Sequence, residues 1–226
     1  MTDTPVQPQL FVQDSLAAVS EAELFPAVWK AAEDLTSHRA EVRAEALQQL
    51  LAWDAPRISP LIAYLFVSRI QEPEAELRKD IIAAIGQALQ PDAKGHLAPE
   101  EVRGRLSYHL AQMKKADVIF LLQTDMQAGE IKESVFRLLS ACPYAGEHLA
   151  EILADRAQEF GIRERAARLI GRVGFLDAIP TLERLETRLE ARQSGQQRMP
   201  FAPPTVKDEL ELLPAIKEAL ATLQSI

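Results

Sequence analysis

One short pattern recurs along this chain, and it restricts the possible fold more than any other feature. Its clearest copy is Ile162-Arg163-Glu164-Arg165-Ala166-Ala167-Arg168-Leu169-Ile170-Gly171. An aliphatic residue is followed by a basic one. Small or aliphatic residues stand four and five places on, and another aliphatic stands eight places on. Val42-Arg43 is followed in this way by Ala46, Leu47 and Leu50, Leu77-Arg78 by Ile81, Ile82 and Ile85, and Ile131-Lys132 by Val135, Phe136 and Leu139. Val206-Lys207 begins a degraded last copy, in which Leu210 fits but Glu211 and Pro214 do not. The copies start 35, 54, 31 and 44 residues apart. A helical unit of this size cannot bury its apolar face alone and must stack on its neighbours. The expected fold is therefore all-α: an α-solenoid of about five stacked helical hairpins over residues 19–226.

The segments between the copies fit that reading. Leu24, Val28, Ala31 and Leu35 form a helical stripe ahead of the first copy, with Ser20 as its expected N-cap and Trp29 expected in the core. Pro56 and Pro60 open a nearly all-apolar helix through Leu61–Val67. An insertion over about 91–117 explains the 54-residue interval: a loop at Pro91–His96, then one extra helix from Pro99. Gly171 reads as a helix-packing residue and Gly174 as a left-handed C-cap. Residues 1–18, with Pro5 and Pro8, read as a mobile arm. The stretch 193–205, with Pro200, Pro203 and Pro204, reads as a mobile loop.

Composition narrows the class of function. The 226 residues are 47% hydrophobic, which argues against disorder, and the net charge of −8 disfavours general attraction to nucleic acid or an anionic membrane. Cys142 is the single cysteine and lies in an apolar run, so it reads as a buried structural residue in a reducing compartment. With no signal-like start and no apolar run near the length of a membrane span, the expected location is the cytoplasm.

Specific chemistry is not written in short motifs. His38, His96, His109 and His148 are scattered, and neither His-Glu-x-x-His nor Cys-x-x-Cys occurs. There is no Gly-x-Gly-x-x-Gly, and Ser107-Tyr108-His109 lies within one helix, where adjacent residues point apart. No cofactor is expected.

Residue by residue, the repeat resembles the HEAT repeat, in the short form named for phycobilisome lyases. The residues that carry the likeness are Ile162-Arg163, Ala166-Ala167, Leu169-Ile170-Gly171, Leu176, Ala178-Ile179-Pro180 and Leu182, with Val42-Arg43-Ala46-Leu47 and Leu77-Arg78-Ile81-Ile82-Ile85-Gly86. The resemblance implies a right-handed superhelix whose second helices line the concave side. It identifies an architecture that mostly binds other macromolecules, and only some members are enzymes.

A helical wheel divides each copy into two faces. At about 100° per residue, the aliphatic positions occupy one arc, and the basic residue that follows the first of them falls inside it. Arg43, Arg78, Lys132 and Arg163 are therefore expected along the seams between repeats. Their stems would be packed and their heads would meet a carboxylate or a helix-end carbonyl. The opposite face carries Lys79 in the second copy, Arg137 in the third, and Arg165, Arg168 and Arg172 in the fourth. Residues 156–198 hold nine arginines against six acids, a local +3, so the remainder carries −11. These five basic residues are the candidate binding set for an acidic protein partner on a non-catalytic scaffold. The competing reading is a solvated face on which Glu164, Glu183 and Glu186 are ordinary partners. Two alternatives belong to other classes. One is a bilin lyase, isomerase or lyase subunit, as the name of the repeat type implies. The other is a HEAT-like DNA glycosylase using Arg165, Arg168 and Arg172, against which the acidic net charge weighs.

Overall fold

The computed structural model describes residues 21–194 and 207–225, and these form helices joined by short turns, with no strand among them. The arm over 1–18, the N-cap at Ser20 and most of the loop over 193–205 lie outside the described residues. The described chain divides into two compact units that part between His109 and Leu110.

In the first unit, α1 (Glu21–Asp34) and α2 (Ala40–Ala52) form an antiparallel pair. Val28, Ala31 and Leu35 of the first stripe are buried, as are Ala46, Leu47 and Leu50 of the first copy. Trp29 is not a core residue: it is 56% exposed, beside an equally open Phe25 one turn earlier. Positions i and i+4 share a helix face, and here that face turns away from α2.

The apolar run after Trp53 is split. A short helix, α3 (Ala55–Ile58), precedes α4 (Pro60–Val67), because Ser59 is extended and its hydroxyl accepts the Ile62 N–H as a cap. α5 (Ala75–Ala88) carries the second copy and packs on α2, α3 and α4. Arg57 of α3 fastens the far end of α5, donating to the carbonyls of Gln87 at 3.0 Å and Gln90 at 2.9 Å and to that of His96. Asp92 closes the expected loop by accepting from the Lys94 and His96 N–H groups, both at 2.8 Å. The inserted helix is α6 (Glu100–Leu110).

The second unit is built on α10 (Phe160–Val173), the helix of the clearest copy. It touches α7 (Lys115–Gln127), α8 (Lys132–Ser140), α9 (Ala145–Ala154) and α13 (Leu213–Gln224). α11 (Ile179–Gln193) packs on α9 and α13. Gly171 explains the close approach of α10 and α13: a Cβ there would lie 2.7 Å from the Ala219 Cα. Gly174 ends α10 in the left-handed region, with φ of 90°.

The degraded last copy is displaced from its expected place. Lys207–Leu210 makes only a short helix, α12, and the helix that packs on α10 begins afresh at Leu213 with Pro214 in its first turn. Leu213, Ile216, Ala219, Leu220 and Leu223 supply its buried face. Cys142 is buried, and burial pushes its thiol up from the ordinary value. No described helix is long and apolar enough to cross a membrane.

Candidate functional site

Three of the four repeat-seam residues meet their expected surroundings. Arg43, Arg78 and Arg163 are 5%, 6% and 5% exposed, and in the first two copies the arginine is more buried than the aliphatic residue before it. Each stands at the fourth position of its helix, so its side chain reaches back over the helix entry. Arg43 Nη1 donates to the carbonyls of Ser37 at 3.0 Å and His38 at 3.1 Å. Arg78 Nη1 donates to the carbonyls of Glu72 at 2.6 Å and Pro73 at 3.4 Å. Arg163 Nε donates to the Leu153 carbonyl at 2.9 Å. All three donate to backbone carbonyls in the turn of their own hairpin or at the end of its first helix, groups that otherwise lack an intrahelical partner.

Lys132 departs from this role and is exposed. A 3-10 turn over Gly129–Ile131 replaces the first helical turn, so Lys132 is the first residue of α8 instead of the fourth. Its side chain has no helix entry beneath it to reach across.

Two of the buried arginines also meet a buried glutamate from farther along the chain. Glu72, in the turn before α5, is 2% exposed and takes Arg43 Nη2 at 2.5 Å and Nε at 3.2 Å on Oε1. Arg69 Nη2 lies 3.4 Å from Oε2. Glu209, between α11 and α13, is 4% exposed. Its Oε1 faces Arg188 Nη2 at 2.6 Å, Arg156 Nε at 3.1 Å and Arg163 Nη2 at 3.5 Å, and its Oε2 faces Arg192 Nη1 at 2.5 Å. Burial alone would push the Glu209 carboxyl up, but the guanidiniums of Arg188, Arg156 and Arg192 outweigh it and hold the carboxyl below the ordinary value. Neither glutamate was singled out in the sequence. A carboxylate 29 residues beyond Arg43 and another 46 residues beyond Arg163 were the only available signals.

The five candidate binding residues fall into different settings. Lys79 belongs to the first unit and pairs with Glu76 Oε2 at 2.5 Å. The other four are in the second unit. Arg168 is half exposed and pairs with Glu164 at 2.8 Å, the partner named by the solvated-face reading. Arg172 pairs with Glu133 of α8 and lies over the Phe136 ring, 5.1 Å from its centroid. Arg137 is intermediate in exposure.

Arg165 is not on an open face. It binds Asp125 of α7, and its side chain is 17% exposed. The wheel placed it outward because a single helix pair buries only one arc, whereas α10 is covered by α7 as well as α9.

This contact floors a groove of about 240 Å³ lined by Asp125, Met126, Lys132, Gly161, Arg165 and Arg168, among others. Asp125 is 2% exposed, yet its Oδ1 has no hydrogen-bond partner among the described residues, and neither has Arg165 Nη2. Met126 is 44% exposed at the rim, and its methyl fills the space a side chain at Gly161 would take. A second groove, of about 450 Å³, lies between α9 and α11 and is lined chiefly by Glu147, Glu151, Asp177 and Arg184. No set of three potential metal ligands comes together among the described residues.

Comparison with protein-family models, curated proteins and solved structures returns no match for this chain.

Proposed function

We propose that the chain is a HEAT-type helical array that acts as a non-catalytic scaffold, holding an acidic, extended segment of a protein partner in the groove between α7 and α10. The observation that carries this reading is the unpaired donor and acceptor at the groove floor. A buried polar atom without a hydrogen bond costs about 1–3 kcal/mol, so Arg165 Nη2 and Asp125 Oδ1, which are closed to solvent beneath the groove, favour a ligand that turns these side chains toward it and offers both an acceptor and a donor. A peptide main chain offers that pair in every residue. Lys132 and Arg168 at the exposed rim add attraction for acidic side chains, and Met126 supplies a deformable apolar contact.

The recurrent arginine brackets support the scaffold part. They bind turn to helix at the same helix position in three of the four copies, which stiffens those helix entries within each unit. The test is affinity capture with wild-type protein and with the double variant Lys132→Glu/Arg168→Glu, both checked for unchanged helical circular dichroism. The reading requires that a partner bound by wild type be lost from the variant. An identical partner set in the two captures would overturn the groove assignment. Arg165→Glu is unsuitable for this purpose, because it would leave Asp125 buried beside a second negative charge.

A further inference from the structure

Four guanidiniums surround Glu209 at 2.5–3.5 Å, so the cluster of Arg156, Arg163, Arg188, Arg192 and Glu209 carries a formal +3 within one small volume. One carboxylate cannot occupy that many donors. Three of the four arginines crowd the same oxygen, Oε1. Arg163 Nη2 and Arg188 Nε are buried and have no hydrogen-bond partner among the described residues. Arg163 is itself 95% buried, being 5% exposed, and it is aimed at the carboxylate from beneath. The outer edge is open: the side chains of Arg156, Arg188 and Arg192 are 53%, 30% and 26% exposed. Like charges held this close repel unless a counter-charge is shared among them, and the planar guanidinium matches an oxyanion with paired N–H donors.

From this arrangement we propose that Arg156, Arg188 and Arg192 form a binding site for a phosphate-class oxyanion, with Arg163 and Glu209 as its built-in floor. A dianion bound across the outer edges reduces the cluster from +3 to +1 and brings further acceptors to the solvent-facing N–H groups of Arg156, Arg188 and Arg192. Glu209 holds the arginines in register while no anion is bound, and its negative charge also limits the affinity. The phosphate chemistry has two sources, free inorganic phosphate and a phosphorylated side chain, and both present the same oxygens.

The experiment uses the full chain and two probes, inorganic phosphate and a short phosphoserine peptide. Each is titrated by calorimetry at constant ionic strength, with chloride as the control. Wild type should show saturable binding to at least one probe beyond the chloride response. A peptide that binds more tightly than free phosphate assigns the site to a phosphorylated segment, and the reverse order assigns it to the free ion. Arg156→Gln/Arg192→Gln, which changes the two outer arginines, should weaken binding by about tenfold or more, and Glu209→Gln should strengthen it by a similar factor. The proposal is overturned if neither probe binds wild type more than chloride does, or if binding survives the double arginine variant unchanged. Both of those outcomes can be read even if Glu209→Gln does not fold.

Discussion

Glu72 and Glu209 play comparable parts, each a buried carboxylate that meets a repeat arginine from farther along the chain, but they are balanced differently. Around Glu72 the accounts nearly close. Arg43 brings two nitrogens to one oxygen and Arg69 approaches the other, while the Glu74 N–H at the entry of α5 is 3.4 Å from Oε1. Both Arg43 and Glu72 are almost fully buried, so this is a structural clasp. Around Glu209 four guanidiniums converge on one carboxylate, and three of its arginines reach solvent. The same bracket therefore serves as a closed joint in one unit and as an over-supplied, open joint in the other. The difference arises from α11, which adds Arg188 and Arg192, and from Arg156 just after α9.

Removing each carboxylate is the strongest way to break this comparison. Glu72→Gln should cost about 3–5 kcal/mol in chemical denaturation, because it strands a buried guanidinium. Glu209→Gln should cost less, about 1–3 kcal/mol, since water can solvate the three open arginines. Equal losses would mean that the two joints are alike. The arginines should follow the same order. Arg43→Met should destabilise by about 3 kcal/mol, because it removes both the Glu72 pair and the two carbonyl contacts. Arg163→Met should cost about 1–2 kcal/mol, because Glu209 keeps three other partners.

Acid should separate the two variants of the open joint. The Glu209 carboxyl is held below its ordinary value in the folded state. Its contribution is thus complete at neutral pH, above the unfolded value, and is lost as pH falls through the folded one. Below about pH 4.3, wild type should lose stability more steeply than Glu209→Gln, as read from urea midpoints measured from pH 7 downward. Parallel curves would show that the arginines do not couple to this carboxyl. The smallest effect is expected away from both joints. Arg168→Ala breaks only a solvated pair with Glu164 and should change stability by no more than about 0.5 kcal/mol, while still reducing capture of a groove partner.

Much of the local architecture was legible in the sequence for a simple reason. An apolar stripe at helical spacing has to be covered, so the buried faces of α2, α5 and α10 could be read from Ala46-Leu47, Ile81-Ile82 and Ala166-Ala167. Gly174 was legible because a left-handed cap needs a residue without a Cβ penalty. Trp29 was misplaced because periodicity finds a stripe but does not say how wide the covered arc is. Lys132 failed for a related reason: a 3-10 turn moved it three places along its helix, and no local residue preference announced that turn.

The candidate site was only half legible. Arg168 and Arg165 were named as a pair on one face, yet α7 covers Arg165 and leaves Arg168 open. Asp125 and Glu209, the carboxylates that set the chemistry of both clusters, lie 40 and 46 residues from the arginines they meet. Wheel geometry holds within one helix and carries no information over such distances.

Apolar spacing along the chain was enough to place most of the helices, most of their buried faces and the burial of Arg43, Arg78 and Arg163, because these follow from 3.6-residue periodicity and the cost of exposing apolar surface. Which carboxylate each arginine meets, and how many arginines share it, was set by the packing of the helices in space. Those numbers depend on which helices pack side by side, and a charge in a protein interior is governed by its neighbours in space.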